Sequence, residues 1–245
     1  MKQENKFILI NSSSRQLISD FCQKHKYLYR FLSVDRFLEM VYKNKMAFVS
    51  PLKWKDPLDR FLFKESEGFR NCFLHRVYVV CFTLTPHSQA YWKEYAPKGY
   101  GIRIKINSKN FFDSVFRYRK DCWFGKLNYV AEKTYIELLN NTAGLKNALT
   151  SDHVNNLFLN TFSYKRYPFR YENEVRFIIQ TEKKTQSGLH WIEIEPDKLI
   201  DDIYIDPRMG NYETKMLKRY LADYFKDKKK VRKSQLFTDK KIIIQ

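Results

Sequence analysis

The sequence predicts a mixed α+β fold, on three observations. Short β-prone runs alternate with stretches of helical periodicity along most of the chain. Hydrophobic residues make up 44% of the 245, enough for a sizeable core, and aromatics reach 17%. Only 7 Gly and 7 Pro are present, which excludes a fibrous or low-complexity chain.

The elements follow in chain order. Ser12 to Lys24 reads as a short leading helix, with Leu17, Ile18 and Phe21 on one face. Tyr27 to Phe31 alternates aromatics around Leu28 and Arg30 and reads as a strand. Ser33 then caps a helix in which Phe37, Leu38 and Val41 recur at helical spacing up to Asn44. Met46 to Ser50 is a strand stopped by Pro51, and Pro57 keeps Trp54 to Asp59 in a loop. Val77 to Thr83 is unbroken and β-prone, the mark of a buried central strand. One or two helical turns are expected over Ser88 to Tyr95. Ile102, Ile104 and Ile106 then alternate with Arg103 and Lys105 in a half-exposed strand. A strand over Lys126 to Val130 leads into a helical region from Ala131 to about Phe162. Tyr171 to Gln180 reads as a strand forming a hairpin with Trp191 to Ile194 through the turn at Ser187-Gly188. Ile203 to Ile205 is a strand and Tyr212 to Phe225 an amphipathic helix, followed by a basic tail and a last strand at Ile242 to Ile244. No repeat or low-complexity linker interrupts the pattern. Residues 1–245 therefore read as a single domain of mixed and antiparallel sheets with flanking helices, its core at 27–206 and a basic helix and strand over 207–245.

The formal net charge is +18, which attracts phosphate polyanions and implies a nucleic-acid partner. The charge clusters in two places. One is Arg117, Arg119 and Lys120. The other is the tail, with Lys228, Lys229, Lys230 and Lys233. A solubilising surface is the plainer reading of the same charge. The four cysteines show no C-x-x-C spacing and no histidines gather near them, so a zinc site is not expected. No signal peptide and no apolar window long enough for a membrane helix is visible, so a cytoplasmic protein without membrane contact is expected.

Neither a P-loop nor a Rossmann glycine pattern occurs, and no nucleophile elbow surrounds a Ser or Cys. The most informative segment is Glu172-Asn173-Glu174-Val175-Arg176. On a strand, the two carboxylates and Arg176 share one face about 7 Å apart, with Tyr171, Val175, Phe177 and Ile179 opposite. Two carboxylates so near each other disfavour joint ionisation, and an arginine counters that. An exposed row of paired charges is the alternative. Arg30 sits in a strand otherwise suited to burial, where a guanidinium answers a carboxylate or a phosphate, or snorkels at a sheet edge. Asp56 and Asp59 with the two glutamates raise a metal-dependent nuclease, but no metal-ligand spacing supports one, and no metal is expected. Trp92 and Tyr95 suit either the core or stacking on a planar ring.

Four segments together resemble the bacterial domain-of-unknown-function family 2971. They are Leu28-Tyr29-Arg30, Phe48 to Asp59, Cys81-Phe82-Thr83 with Tyr91 to Gly101, and Tyr171 to Arg176. Lys55 and Leu58 stand where that family usually has Asn and Phe. More loosely, Arg30, Ser50 and Glu172-x-Glu174 occur in the order found in ADP-ribosyltransferases of the Arg–Ser–Glu type. This second resemblance implies a split β core and an NAD-consuming transferase acting on RNA, DNA or a protein. A toxin or anti-phage effector, with a neutralising antitoxin protein as partner, is implied as well. It implies that Glu174 stabilises the ribose cation, that Glu172 orients or deprotonates the acceptor, and that Arg30 and Ser50 hold NAD. Trp92 or Tyr95 would cover the nicotinamide. Arg30 and Glu174 should then face one cleft, with Glu172 at its rim. A non-enzymatic nucleic-acid-binding module is the rival reading.

Overall fold

Near-continuous burial along the central strands, alternating burial along the outer ones and period-3.6 burial along the helices build one large sheet whose centre is covered on both faces. The structure, a computed structural model, describes residues 6–65, 72–118, 121–140, 153–225 and 230–236. In chain order the main elements begin with β1 (Ile8–Leu9), α1 (Arg15–Lys24), β2 (Tyr27–Ser33), α2 (Val34–Lys43), β3 (Lys45–Val49) and α3 (Phe61–Glu65). Then come β4 (Val77–Thr83), α4 (Gln89–Tyr95), β5 (Gly101–Asn107), α5 (Ser108–Tyr118), β6 (Cys122–Lys126), β7 (Asn128–Val130) and α6 (Glu132–Asn140). They continue with α7 (Asn156–Phe162), β8 (Tyr164–Arg166), β9 (Glu174–Gln180), β10 (Leu189–Glu193), α8 (Pro196–Leu199), β11 (Ile200–Ile205), α9 (Asn211–Tyr224) and β12 (Lys230–Lys233).

The fold is mixed α+β with a mostly antiparallel sheet. Its strand order is β1-β6-β9-β4-β2-β5-β11-β12, with β3 joined to β4 and β10 joined to β3. Among these pairs only β11 with β12 is parallel, while β7 and β8 form a separate parallel pair. One face carries the larger core, which includes Leu28, Tyr78, Phe82, Ile104, Phe111, Phe177 and Ile203. The other face carries a second core under α3, α6 and α7, including Phe63, Val79, Trp123, Phe158, Phe162 and Ile178. β4 and β9 lie between both cores, which explains the apolar run of β4 and the unbroken burial of β9.

Several expectations are corrected here. Trp191 to Ile194 does not form a hairpin with the preceding strand. Both edges of β9 are taken by β4 and β6, and β10 pairs with β3 instead, Leu189 opposite Val49. β9 starts at Glu174 rather than Tyr171, because Tyr167–Glu172 is a 3-10 turn and Asn173 adopts a left-handed φ of 42°. The strand of Ile102, Ile104 and Ile106 is largely covered, with Arg103 only 2% exposed. Lys230 to Lys233 extends the sheet along β11. Arg119, Lys120, Lys228, Lys229 and the strand expected at 242–244 lie outside the described residues. Gly101 allows α4 to close on β5, since a Cβ there would stand 2.6 Å from that of Ala96. Among the described residues no helix is long and apolar enough to cross a membrane.

Candidate active site

β4 has two neighbours along one edge. β2 meets it at Tyr29, opposite Thr83, and β3 meets it at Val49, opposite Val79. Between those two rungs the edge of β4 at Cys81 lies open, because β2 has turned away to pair fully with β5. The gap is a cleft of ≈ 240 Å³ lined by Tyr29, Arg30, Cys81, Tyr91, Glu172 and Glu174, among others. It adjoins a hollow of ≈ 610 Å³ that shares Trp54, Cys81, Tyr95, Glu172 and Glu174. A larger hollow of ≈ 1300 Å³ between α1 and α5 holds no comparable set of converging groups.

Glu172 and Glu174 reach the cleft by different routes. Glu174 is the first residue of β9, opposite Thr83. Glu172 ends the 3-10 turn, and its backbone carbonyl accepts bonds from Thr83 Oγ1 at 2.6 Å and from the Tyr91 hydroxyl at 2.7 Å. The left-handed Asn173 between them folds both carboxyls onto one ammonium. Lys165 Nζ lies 2.5 Å from Glu172 Oε2, 3.1 Å from Glu174 Oε2 and 3.4 Å from Asp59 Oδ2. Arg176 bonds Glu174 Oε1 through Nε at 2.9 Å and Asp59 Oδ2 through Nη2 at 3.1 Å. Its guanidinium lies against the stacked Trp54 and Phe162 rings, 4.7 and 4.6 Å from their centroids.

This network holds two cations and three carboxylates, so the carboxylates cannot all ionise easily. Burial opposes ionisation of Glu174, yet Arg176 and Lys165 hold its carboxyl well below the usual range. Glu172 lacks Arg176 as a partner. Burial, and then the neighbouring Glu174 charge, push it up to about 8 despite Lys165. One carboxylate stays ionised and the other carries a proton near neutrality, the division of roles used in acid–base sites.

The division has consequences for stability. Glu172 has a folded pKa above its unfolded value, so its contribution is complete below about 4.5 and lost as pH rises to about 8. Glu174 has the opposite sign, its contribution being present above about 4.5 and lost as pH falls below that value. Urea melts across this range should show the Glu172→Gln variant gaining on the wild type as pH rises from about 5 to 8. A constant difference would mean that Glu172 does not hold its proton.

Arg30 lines the cleft one residue beyond the last β2–β4 rung. Among the described residues its guanidinium makes no ion pair, and burial lowers its pKa, with the Cys81 thiol and Tyr95 phenol as the charge-sensitive groups nearby. Tyr95 is 45% exposed as a residue, but burial of its hydroxyl end, then the nearby Glu172, raise its pKa. Tyr91 stacks between Phe31 and Tyr95, at centroid distances of 4.9 and 5.6 Å.

The other expected site residues fall elsewhere. Ser50 is buried at the end of β3 outside the cleft lining, because Val49 takes the face that Val79 shares. Trp92 is 2% exposed, packed edge-on against Phe31, and does not line the cleft, and Tyr91 is 6% exposed, so Tyr95 is the aromatic that α4 presents there. Arg117 pairs with Glu195 at 2.8 Å on the far hollow. Lys233 donates to the Met209 carbonyl at 2.5 Å. Asp56 pairs with Arg166 at 2.9 Å, and among the described residues no group of three or more His, Cys, Asp and Glu is arranged for a metal. Lys165 is the residue that sequence reasoning did not single out, and Asp59, raised there as a metal ligand, instead pairs with Lys165 and Arg176. Nothing in the pattern separates Lys165 from the chain's many other lysines.

No curated protein matches the chain. Two solved structures of DarT from Thermus sp. 2.9 are similar at low identity. One, in complex with ADP-ribosylated single-stranded DNA, is 8% identical with a TM-score of 0.41, over 86% of this chain and 95% of that one. The other, in complex with NAD+, is 10% identical with a TM-score of 0.39, over 86% and 96%. Residues 91–177, which hold Tyr91, Tyr95, Lys165, Glu172, Glu174 and Arg176, match the model of the family described as a protein of unknown function, DUF2971.

Proposed function

We propose that the chain is an NAD-dependent ADP-ribosyltransferase that modifies nucleic acid. The observation carrying this reading is that Arg30, without an ion pair among the described residues, lines the same cleft as the ionised Glu174. A desolvated guanidinium with no carboxylate suits a phosphate-bearing substrate. The outer face of Tyr95, backed by Tyr91, suits a planar ring, and the cleft's one strongly ionised carboxylate suits a developing cation.

NAD would supply the nicotinamide–ribose bond, whose cleavage builds positive charge on the ribose, as in glycosidases. The reading gives each residue a role. Arg30 holds the pyrophosphate. Tyr95, held by Tyr91 beneath it, orients the nicotinamide ring. Glu174 keeps its negative charge through Arg176 and Lys165 and stabilises charge that is present only in the transition state. Glu172, tuned towards neutrality, accepts the proton of the attacking nucleophile. The net charge of +18 favours a polyanionic acceptor. Such an activity is that of a toxin or anti-phage effector, which calls for a neutralising partner protein.

Labelled NAD incubated with the protein and total cell RNA, DNA and protein tests the reading. Label should enter the nucleic-acid fraction, and its absence from every fraction would refute the transfer. Transfer should also rise with pH through about 8 as Glu172 loses its proton. Nicotinamide release into water should vary less, since Glu174 is ionised throughout. A pH-independent transfer rate would remove Glu172 from the base role.

A further inference from the structure

The strands β2, β5, β11 and β12 show two unlike faces. One is core, with Leu28, Ile104 and Ile203. The other carries aromatics interleaved with cations. Across it one row of strand partners runs Glu174–Thr83–Tyr29–Lys105–Asp202, and the next runs Phe31–Arg103–Tyr204–Arg232. Four strand spacings separate Glu174 from Asp202, about 19 Å.

The cations and rings on this face touch. Lys105 Nζ lies 3.7 Å from the Tyr27 ring centre. The Arg103 guanidinium lies 3.9 Å from the Tyr204 ring and 5.6 Å from that of Tyr29. Arg232 approaches Tyr204 from the other side at 4.9 Å. Asp202 answers both Lys105, at 3.3 Å, and Arg232, at 3.1 Å, so these two cations share one carboxylate. Arg103 is bonded to the Pro86 carbonyl and His87, and its Nε finds no hydrogen-bond partner. α4 covers the Phe31 end of the face, while Tyr27, Tyr29 and Tyr204 stay half-buried and the Arg232 side chain is 47% exposed.

We propose that this face is a track for single-stranded nucleic acid and that the track ends at the cleft. Tyr29 belongs to both, pairing with Lys105 on the track and lining the cleft beside Arg30. The half-exposed rings of Tyr27, Tyr29 and Tyr204 accept unstacked bases and Lys105 and Arg232 take the phosphates, while the buried Arg103 holds Tyr204 in place. A duplex hides its base faces and would use only the charge. The track rests on the transferase reading only for what happens once the strand reaches Glu172 and Glu174.

Binding is measured by fluorescence anisotropy without NAD, using labelled oligo-dT, oligo-U, a duplex and an abasic strand of equal length. The variants are Arg232→Gln alone and the triple Tyr27→Leu, Lys105→Gln, Arg232→Gln. Wild type should bind either single strand at least about tenfold more tightly than the abasic strand, and the preferred sugar names the natural partner. The triple variant should lose about tenfold or more, and Arg232→Gln alone should weaken binding with a shallower salt slope. Nicotinamide release from NAD without nucleic acid should be unchanged in both, so failure of the track and failure of the transferase reading are separable. Wild-type affinity in the triple variant, equal binding of the abasic strand, or tighter binding of the duplex would each overturn the proposal.

Discussion

Replacing Glu174 by Gln is expected to lower nicotinamide release from NAD by roughly a hundredfold or more. Gln keeps the volume and loses the charge, so the cleft retains its shape but no longer opposes the positive charge on the ribose. The substitution also touches stability. Glu174 accepts from Arg176 at 2.9 Å and from Lys165 at 3.1 Å, both inside a buried network. Loss of these charged bonds costs about 1–3 kcal/mol. The cost is limited because Glu172 no longer faces a second charge and can ionise against Lys165, while Arg176 keeps Asp59. Assays must therefore run well below the variant's melting temperature, with far-UV dichroism recorded on the same samples. Wild-type turnover in a folded variant would remove Glu174 from the chemistry.

Replacing Lys165 by Met should cause the largest loss of stability, about 3–5 kcal/mol at neutral pH. Its ammonium is buried within 3.4 Å of Asp59, Glu172 and Glu174, and without it these three carboxylates face Arg176 alone. Burial opposes the Lys165 charge, but Glu174 and Asp59 raise its pKa well above the ordinary value. The deficit should shrink in acid. Carboxylates deprived of their cation have raised pKa values, so protonating them relieves the variant more than the wild type. Urea melts at about pH 4.5 and pH 7.5 check this. An equal gap at both values would mean that the cluster's charges do not govern the site's stability.

Local pattern revealed much of the scaffold. Val77 to Thr83 reads as a buried strand because its β-branched and aromatic run has no polar break, and it lies between two cores. Asn44 ends α2 in the left-handed region, as the end of its apolar period suggests. What pattern cannot carry is pairing. β10 follows β9 through a turn, yet it pairs with β3 because the edges of β9 are already occupied. The Glu172-x-Glu174 spacing was visible, whereas the left-handed Asn173 that removes Glu172 from the strand was not. The site's electrostatics depend on contacts distant in sequence, such as Arg176 with Asp59, 117 residues apart. Ser50 was chosen by order along the chain and Trp92 as a ring suited to stacking, but the alternation of β3 put Val49 at the cleft instead and the packing of α4 buried Trp92.

Calorimetric titration of NAD into wild type and Arg30→Gln tests whether the cleft between β2 and β4 binds NAD through Arg30. Arg30 has no ion pair to lose among the described residues, and burial disfavours its charge. The variant should therefore melt at or slightly above the wild-type temperature. Its affinity for NAD should nevertheless fall at least about tenfold, the loss of a charge-assisted phosphate contact. Equal NAD affinity in the two proteins, or no heat of binding in either, would contradict the account.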